Sequence, residues 1–251
     1  MAKQSGLGDA FWLDGYDLSG DVGSLGRIGG GLAGTQDTTG INKYAMERTG
    51  LARDGSLEWT AFFNPAVGAA HEVLSTLPLT NRIATYGRGT GLGSPAACLV
   101  GRQINYDPSR AADGSLTISV QALADGHGLE WGVQATPGVR TDTGATNGAS
   151  LDGGASSAFG LQAWLQVISF TGTDATVKLQ ESSDNGGADA WADVTGGGFA
   201  QITSAPGAQR IQTGRSLTVE RYLRVATVTS GGFSALSFVV VVTRNLTAVT
   251  F

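Results

Sequence analysis

A single cysteine, Cys98, occurs in 251 residues, which excludes an intramolecular disulfide framework and any multi-cysteine zinc site. It falls in an alternating apolar run and reads as a small core residue. Charge is also scarce. Asp, Glu, Lys and Arg make up 15% of the chain, against about 25% in an ordinary globular protein. The net charge is −5 and the pI about 4.9. With no basic stripe, general affinity for nucleic-acid phosphates is not expected. Long apolar runs are missing as well. The longest, Phe238 to Val242, falls far short of the roughly 20 residues that cross a bilayer as a helix. Met1 to Ser5 lead into no apolar segment of a secretory signal. These absences predict a soluble chain made in the cytoplasm, with no membrane partner.

Catalytic patterns are equally thin. Gly29-Gly30-Gly31-Leu32-Ala33-Gly34 satisfies G-x-G-x-x-G in form, but a dinucleotide site needs a strand before it and a helix after it. Its flanks here are glycine-rich or Thr/Asp-rich. His71-Glu72 opens like H-E-x-x-H, but Ser75 stands where the second histidine is required. His127 lies between glycines and reads as a turn residue. Asp184, Asp189 and Asp193 lack the rhythm of a calcium loop. No serine has glycine at both −2 and +2, so the nucleophile elbow is missing. The residues therefore predict no enzyme, no cofactor and no metal. Trp164, Trp191, Tyr222 and Phe233 offer either a sandwich core or a sugar-stacking face, and that second use defines the alternative function, a carbohydrate-binding β-sandwich module.

What is present is glycine, 39 residues, and short β-patterned runs. Leu57, Trp59, Ala61 and Phe63 alternate with Glu58, Thr60 and Phe62 as a half-buried strand. Asn64-Pro65 reads as a helix start. Val67, Ala70, Leu74 and Leu77 then form one apolar stripe, and Pro78 ends it, predicting a helix about 12 residues long. Ile83 to Tyr86 open another strand. Ala96, Cys98, Val100, Ile104 and Tyr106 predict a long strand turned by Asp107-Pro108, followed by strands at Leu116–Ala122 and Leu129–Val133. Ser19 to Gly40 shows almost no periodicity and reads as an extended loop or arm, while Ile41–Met46 is ambiguous between a helical turn and a strand. Residues 139–157 are Gly, Ser, Thr and Asp with few bulky side chains, a linker between a 1–138 domain and a 158–251 domain. In the latter, strands are expected at 159–170, 174–181, 219–229 and 233–244, with weaker ones at 191–194, 199–202 and 210–212. This spacing points to a small antiparallel β-sandwich.

Tyr16 to Leu25, Met46-Glu47-Arg48, Asp54 to Asn64 and Gln103-Ile104-Asn105-Tyr106-Asp107 resemble the major tail tube proteins of long-tailed, non-contractile phages of actinobacteria. The resemblance covers about residues 10–135. Leu179 to Asp184, Trp191 to Val194 and Arg221 to Val225 are similar to the β-sandwich decorations such virion proteins carry at the C-terminus. The family implies a mainly β fold, a tail-tube β-sandwich with one flanking α-helix, plus a second small antiparallel sandwich. It also implies hexameric rings stacked into a tube that conducts phage DNA without binding it specifically, with tape-measure and terminator proteins as neighbours in the virion tail. The non-periodic segment then becomes an inter-subunit arm, with Leu25, Ile28, Gly29, Gly30, Gly31 and Leu32 as its contact residues.

Overall fold

The computed structural model describes residues 5–248. In chain order the first half holds β1 (Ala10–Leu13), β2 (Tyr16–Asp17), β3 (Val22–Leu32), β4 (Thr35–Asp37), β5 (Arg48–Gly50), β6 (Arg53–Phe62), the helix α1 (Ala70–Leu74), β7 (Arg82–Gly87), β8 (Pro95–Gln103), β9 (Asp107–Arg110), β10 (Leu116–Ala124) and β11 (Glu130–Gln134). The second half holds β12 (Arg140–Asp142), β13 (Asn147–Asp152), β14 (Leu161–Gly172), β15 (Thr176–Ser182), β16 (Ala192–Gly198), β17 (Gly207–Gln212), β18 (Tyr222–Val228) and β19 (Phe233–Arg244). The fold is mainly β and its sheets are antiparallel, as expected. Two compact units result, one of residues 1–19, 85–98 and 131–251, the other of residues 20–84 and 99–130.

The first unit is built on β14 and β19, which pair along almost their whole length. Leu165 and Val240 are partners on one face and pack on Val177, Leu179, Leu223 and Val225 of the four-stranded sheet β13-β18-β15-β16. Each such fully buried side chain contributes about 1.5–3 kcal/mol. The opposite face is covered too, by Ala10 and Trp12 of β1 against Val239. That is why β14 is buried without a break from Leu161 to Val167. Gln166 sits on this second face with both amide atoms used: Gly15 N donates to its Oε1 (2.7 Å) and its Nε2 donates to Thr85 Oγ1 (3.0 Å).

Residues 139–157 are not a free linker. They hold β12, paired with β19, and β13, paired with β18. Arg140 grips Asp142 with two hydrogen bonds (2.8 and 2.7 Å) and also donates to Val225 O. A ladder consumes backbone N–H and C=O groups, so a Gly/Ser/Thr segment with few bulky side chains pairs as well as a greasy one.

Asp174 closes the far end of the sandwich. It accepts from Thr229 Oγ1 (2.6 Å), Gly231 N (2.6 Å), Gln201 Nε2 (2.5 Å) and the Ser230 amide and hydroxyl. The hydroxyls of Ser230 and Thr229, then the loop amides, hold its pKa well below the ordinary carboxylate range. A depressed folded-state pKa stabilises above the unfolded value, near 3.9, and the benefit is lost as pH falls from there towards the folded value. Urea unfolding is therefore expected to show Asp174→Asn less stable than wild type at pH 7, with the gap closing as the pH falls below about 4. An equal gap at pH 7 and pH 2.5 would show that the carboxylate's charge is not what matters.

The second unit centres on β6. Leu57, Trp59 and Ala61 are buried and lie opposite Ala122, Val120 and Ile118 of β10. The intervening Glu58 faces the other way, and its carboxylate accepts from Gln121 Nε2 (3.0 Å). β10 pairs with β6 on one side and with β9 and the end of β8 on the other, and β6 pairs with β3, every neighbour antiparallel. The helix is shorter than its stripe predicts, five residues instead of about 12. Asn64 caps a turn through Ala66 N (3.1 Å), and Gly68 has φ +75°, which a right-handed helix cannot continue through. Val67 is consequently exposed, while Ala70, Val73 and Leu74 are buried. The last helical carbonyls are met by side chains: Arg82 Nη1 donates to Val73 O (2.9 Å) and Gln103 Nε2 to Leu74 O (2.7 Å). The long strand expected through Tyr106 ends at Gln103, and Asp107-Pro108, expected to turn, begins β9.

Candidate assembly surfaces

The segment read as an arm is an edge strand. β3 pairs in register with β6, with bulges between Val22 and Ser24 and between Leu25 and Arg27. Leu25 lies opposite Trp59 and Ile28 opposite Leu57, both half-buried over the core face. Gly29, Gly30 and Gly31 oppose Ser56, Gly55 and Asp54, and Leu32, mostly exposed, opposes Arg53. The glycines have a steric reason to be there. A Cβ on Gly30 would lie 2.9 Å from Leu129 Cβ, and one on Gly55 would lie 2.4 Å from Leu129 N. The loop reading failed because it counted bulky side chains, whereas the strand is held by its backbone. Among the described residues β3 pairs with β6 alone and β9 with β10 alone, so the outer edges of β3 and of the four-residue β9 are free, while β8 takes the rest of the β10 edge beside β9.

The projecting feature lies further along. Beyond β3 and β6 the ladder continues through Ala33–Ala52 and Leu51–Gly34 hydrogen bonds into β4 and β5. The hairpin ends in residues 38–47, a loop and neither the helical turn nor the strand considered for Ile41–Met46. Thr38 N donates to Glu47 O (2.9 Å), and Lys43 pairs with Glu47 (3.1 Å). At this tip Ile41 and Tyr44 are fully exposed and Met46 is 56% exposed. The signal in the sequence was weak: three apolar residues in a stretch without period.

The first unit carries a groove of about 550 Å³ whose apolar lining includes Pro95, Trp131, Val133, Leu151, Val242 and Leu246. Trp131 is 49% and Leu246 79% exposed. Gly132 lets β11 approach β19 here, since a Cβ would sit 2.4 Å from Val242 O. Asp152, also in the lining, is held by Arg221 through two 2.7 Å hydrogen bonds, which with the Gly154 amide lower its pKa to about 2.

The remaining sequence candidates are not brought together. Cys98 is buried with Sγ 3.7 Å from Thr85 Oγ1. His71 Nδ1 lies 2.6 Å from the Tyr106 hydroxyl and its ring 4.6 Å from Phe63, while His127 is exposed in its turn. Gly29 to Leu32 of the G-x-G-x-x-G string run along β3. Asp184 accepts the amides of Gly187, Ala188 and Asp189, which depress its pKa, and Asp193 accepts from Lys178 and Gln180 (both 2.8 Å). Among the described residues no group of three or more His, Cys, Asp or Glu side chains is arranged to hold a metal ion. The four aromatics form no common platform. Trp164 is core, Phe233 packs on the core, Arg224 covers the Trp191 ring at 4.5 Å and Arg221 the Tyr222 ring at 4.8 Å.

No family model matches the chain, and no curated protein matches it significantly. Among solved structures it is similar to a chain of the virion of a native gene transfer agent particle, at 14% identity and a TM-score of 0.42, over 51% of this chain and 98% of that one. It is also similar to the SPP1 Dit protein, a hub adsorption protein of phages infecting Gram-positive bacteria (12% identity, TM-score 0.35, 93% of this chain and 98% of that one). A chain of the phage p2 baseplate in its activated conformation gives 8% identity and a TM-score of 0.33, over 94% and 98%. Likenesses this low assign neither a family nor a role.

Proposed function

We propose that this chain is a structural protein of a phage tail that assembles with copies of itself into closed rings, stacked as a tube for DNA passage. It acts as a building block and not as an enzyme, with other tail proteins at the tube ends and inside it. The reading starts from the tail-tube resemblance of residues 10–135, and one observation carries it. The order β9-β10-β6-β3 is an antiparallel run of four strands in which, among the described residues, the outer edges of β3 and of the short β9 are free, while β8 pairs with the remaining end of β10. An even number of antiparallel strands makes the two edges run in opposite directions. Identical copies set side by side in one orientation therefore bring β3 of one against β9 of the next as an antiparallel pair. Such a contact joins two different surfaces, so it closes into a ring when the rotation per copy divides a full turn. Closure also removes exposed edges, which otherwise template aggregation.

Electron microscopy of the purified full chain is expected to show rings or tubes, and a protein that remains monomeric at every concentration overturns the reading. Hydrogen exchange reads the edge itself. In dilute monomer the β3 amides bonded to β6 exchange slowly while the outward ones exchange fast. In the assembly the outward amides slow by tenfold or more. Unchanged exchange along β3 in assembled particles would place the subunit contact elsewhere.

A further inference from the structure

We propose that the β3–β6–β10 sheet carries, on the face opposite its core, a recess that binds one neutral sugar ring through Arg27, Asp54, Ser56 and Gln121. This does not rest on the self-assembly reading, because the recess lies on a sheet face and ring closure uses strand edges. All of its residues belong to the second unit. Alternation along β6 sends Leu57 and Trp59 to the core and Asp54, Ser56 and Glu58 to the other face. Pairing adds Arg27, Gly29 and Gly31 of β3 and Gln121 and Leu123 of β10 to that face. The two glycines have no side chain to fill it, and a recess of about 240 Å³ with a mainly polar lining is left.

Two of the lining groups have no partner. Ser56 is only 7% exposed, and its Oγ makes no hydrogen bond. A hydroxyl withdrawn from water without a partner is costly and uncommon in a folded chain. Arg27 makes no ion pair or hydrogen bond among the described residues. Its guanidinium is carried over Gly29, the strand partner of Ser56: a Cβ on Gly29 would lie 2.6 Å from Arg27 Nε. The donor set then selects the ligand. Asp54 Oδ1 accepts the Gly55 amide (2.7 Å) and Gln121 Nε2 donates to Glu58 (3.0 Å), which leaves Asp54 Oδ2 and Gln121 Oε1 as acceptors. Arg27 only donates, and Ser56 does both. A lone anion is drawn to Arg27 but repelled by Asp54, and for a lone cation the signs reverse. A neutral ring whose hydroxyls each donate and accept answers all four groups together. Leu32 and Leu123, both exposed, give the rim an apolar strip for the ring's C–H face. No aromatic ring lines the recess for stacking, so binding in the millimolar range is expected.

Saturation-transfer NMR on the full chain tests this, since it reads weak ligands on a free subunit and on an assembly alike. The probes are D-glucose, D-galactose and N-acetyl-D-glucosamine. At least one is expected to give a saturable signal, and Arg27→Ala and Ser56→Ala should each weaken its binding at least fivefold. Arg27 is exposed and unpaired, and Ser56→Ala removes an unsatisfied hydroxyl, so neither variant should melt below wild type. A tenfold excess of inorganic phosphate should leave the sugar signal in place. Phosphate that displaces the sugar would make the recess an anion site and overturn the proposal. It is equally overturned if none of the three sugars gives a saturable signal, or if both variants bind as wild type does. Weaker binding only in a variant that also melts lower would trace the loss to folding and count against the site.

Discussion

Leu74→Asp is expected to remove soluble protein. Leu74 is fully buried on the one helix of the second unit, beside Ala70 and Val73. A carboxylate there replaces an apolar side chain at a fully buried position, and burying a charge costs several kcal/mol. Total stability is about 5–15 kcal/mol for an ordinary domain, so the loss takes most of it. Glu72→Ala, two residues away and solvent-exposed, is the control. It loses one acceptor for the Gly68 amide, an effect of about 1 kcal/mol or less. Soluble yield and urea midpoints of the two variants decide the matter, and equal behaviour would mean that α1 does not pack through Leu74.

Gly15→Ala is expected to be the most damaging single-methyl change in the first unit. Gly15 has φ +85°, and a Cβ there would fall 2.2 Å from Val167 O and 2.4 Å from Gly207 N. Both obstacles are backbone atoms of paired strands, so neither rotates aside. The left-handed conformation alone costs about 1–2 kcal/mol for a side-chain-bearing residue. The clash adds displacement of the β1–β2 turn from Gln166, for a total of roughly 3 kcal/mol or more. Gly8→Ala separates the two causes. Gly8 has φ +86° with nothing within 4 Å of the added methyl, so it reports the backbone cost alone. Thermal unfolding should rank wild type above Gly8→Ala and Gly8→Ala well above Gly15→Ala. If the two alanines fall by the same amount, the close approach at Gly15 is not what holds the turn.

The four main strands after residue 158 were legible because valine and leucine alternate or run on between glycine turns, and the structure has them as β14, β15, β18 and β19. The β6 strand was legible from Leu57, Trp59 and Ala61 for the same reason. The helix was legible as a position and not as a length. Its stripe spans Val67 to Leu77, but Gly68 breaks the first turn, and periodicity does not register a backbone dihedral. β3 and β13 were misread because glycine and serine strands leave no side-chain pattern.

The candidate site was the least legible part. Leu25, Ile28 and Leu32 were grouped because, with Val22, they are the few bulky residues of a glycine-rich segment. Pairing with β6 separates them: Leu25 and Ile28 half-cover the core face, and Leu32 stands exposed before the projecting hairpin. Ile41, Tyr44 and Met46 carry no local mark distinguishing a solvent-facing tip from a buried turn. The groove joins residues from position 95 to position 246, and no window along the chain contains them together.

By itself the sequence determined the secondary-structure class, the half-buried faces of its greasy strands and the scarcity of charge and cysteine. Each of these depends on residue type and short-range spacing, which are local quantities. Only the tertiary structure decided that β3 and β9 are unpaired edges running in opposite directions and that the hairpin tip is bare. The same holds for Gly15, Gly30 and Gly55, which sit where another backbone or side chain leaves no room for a methyl group. Those facts concern which strands meet and what lies across a gap, and they are set by long-range backbone pairing, to which a glycine contributes as fully as a valine.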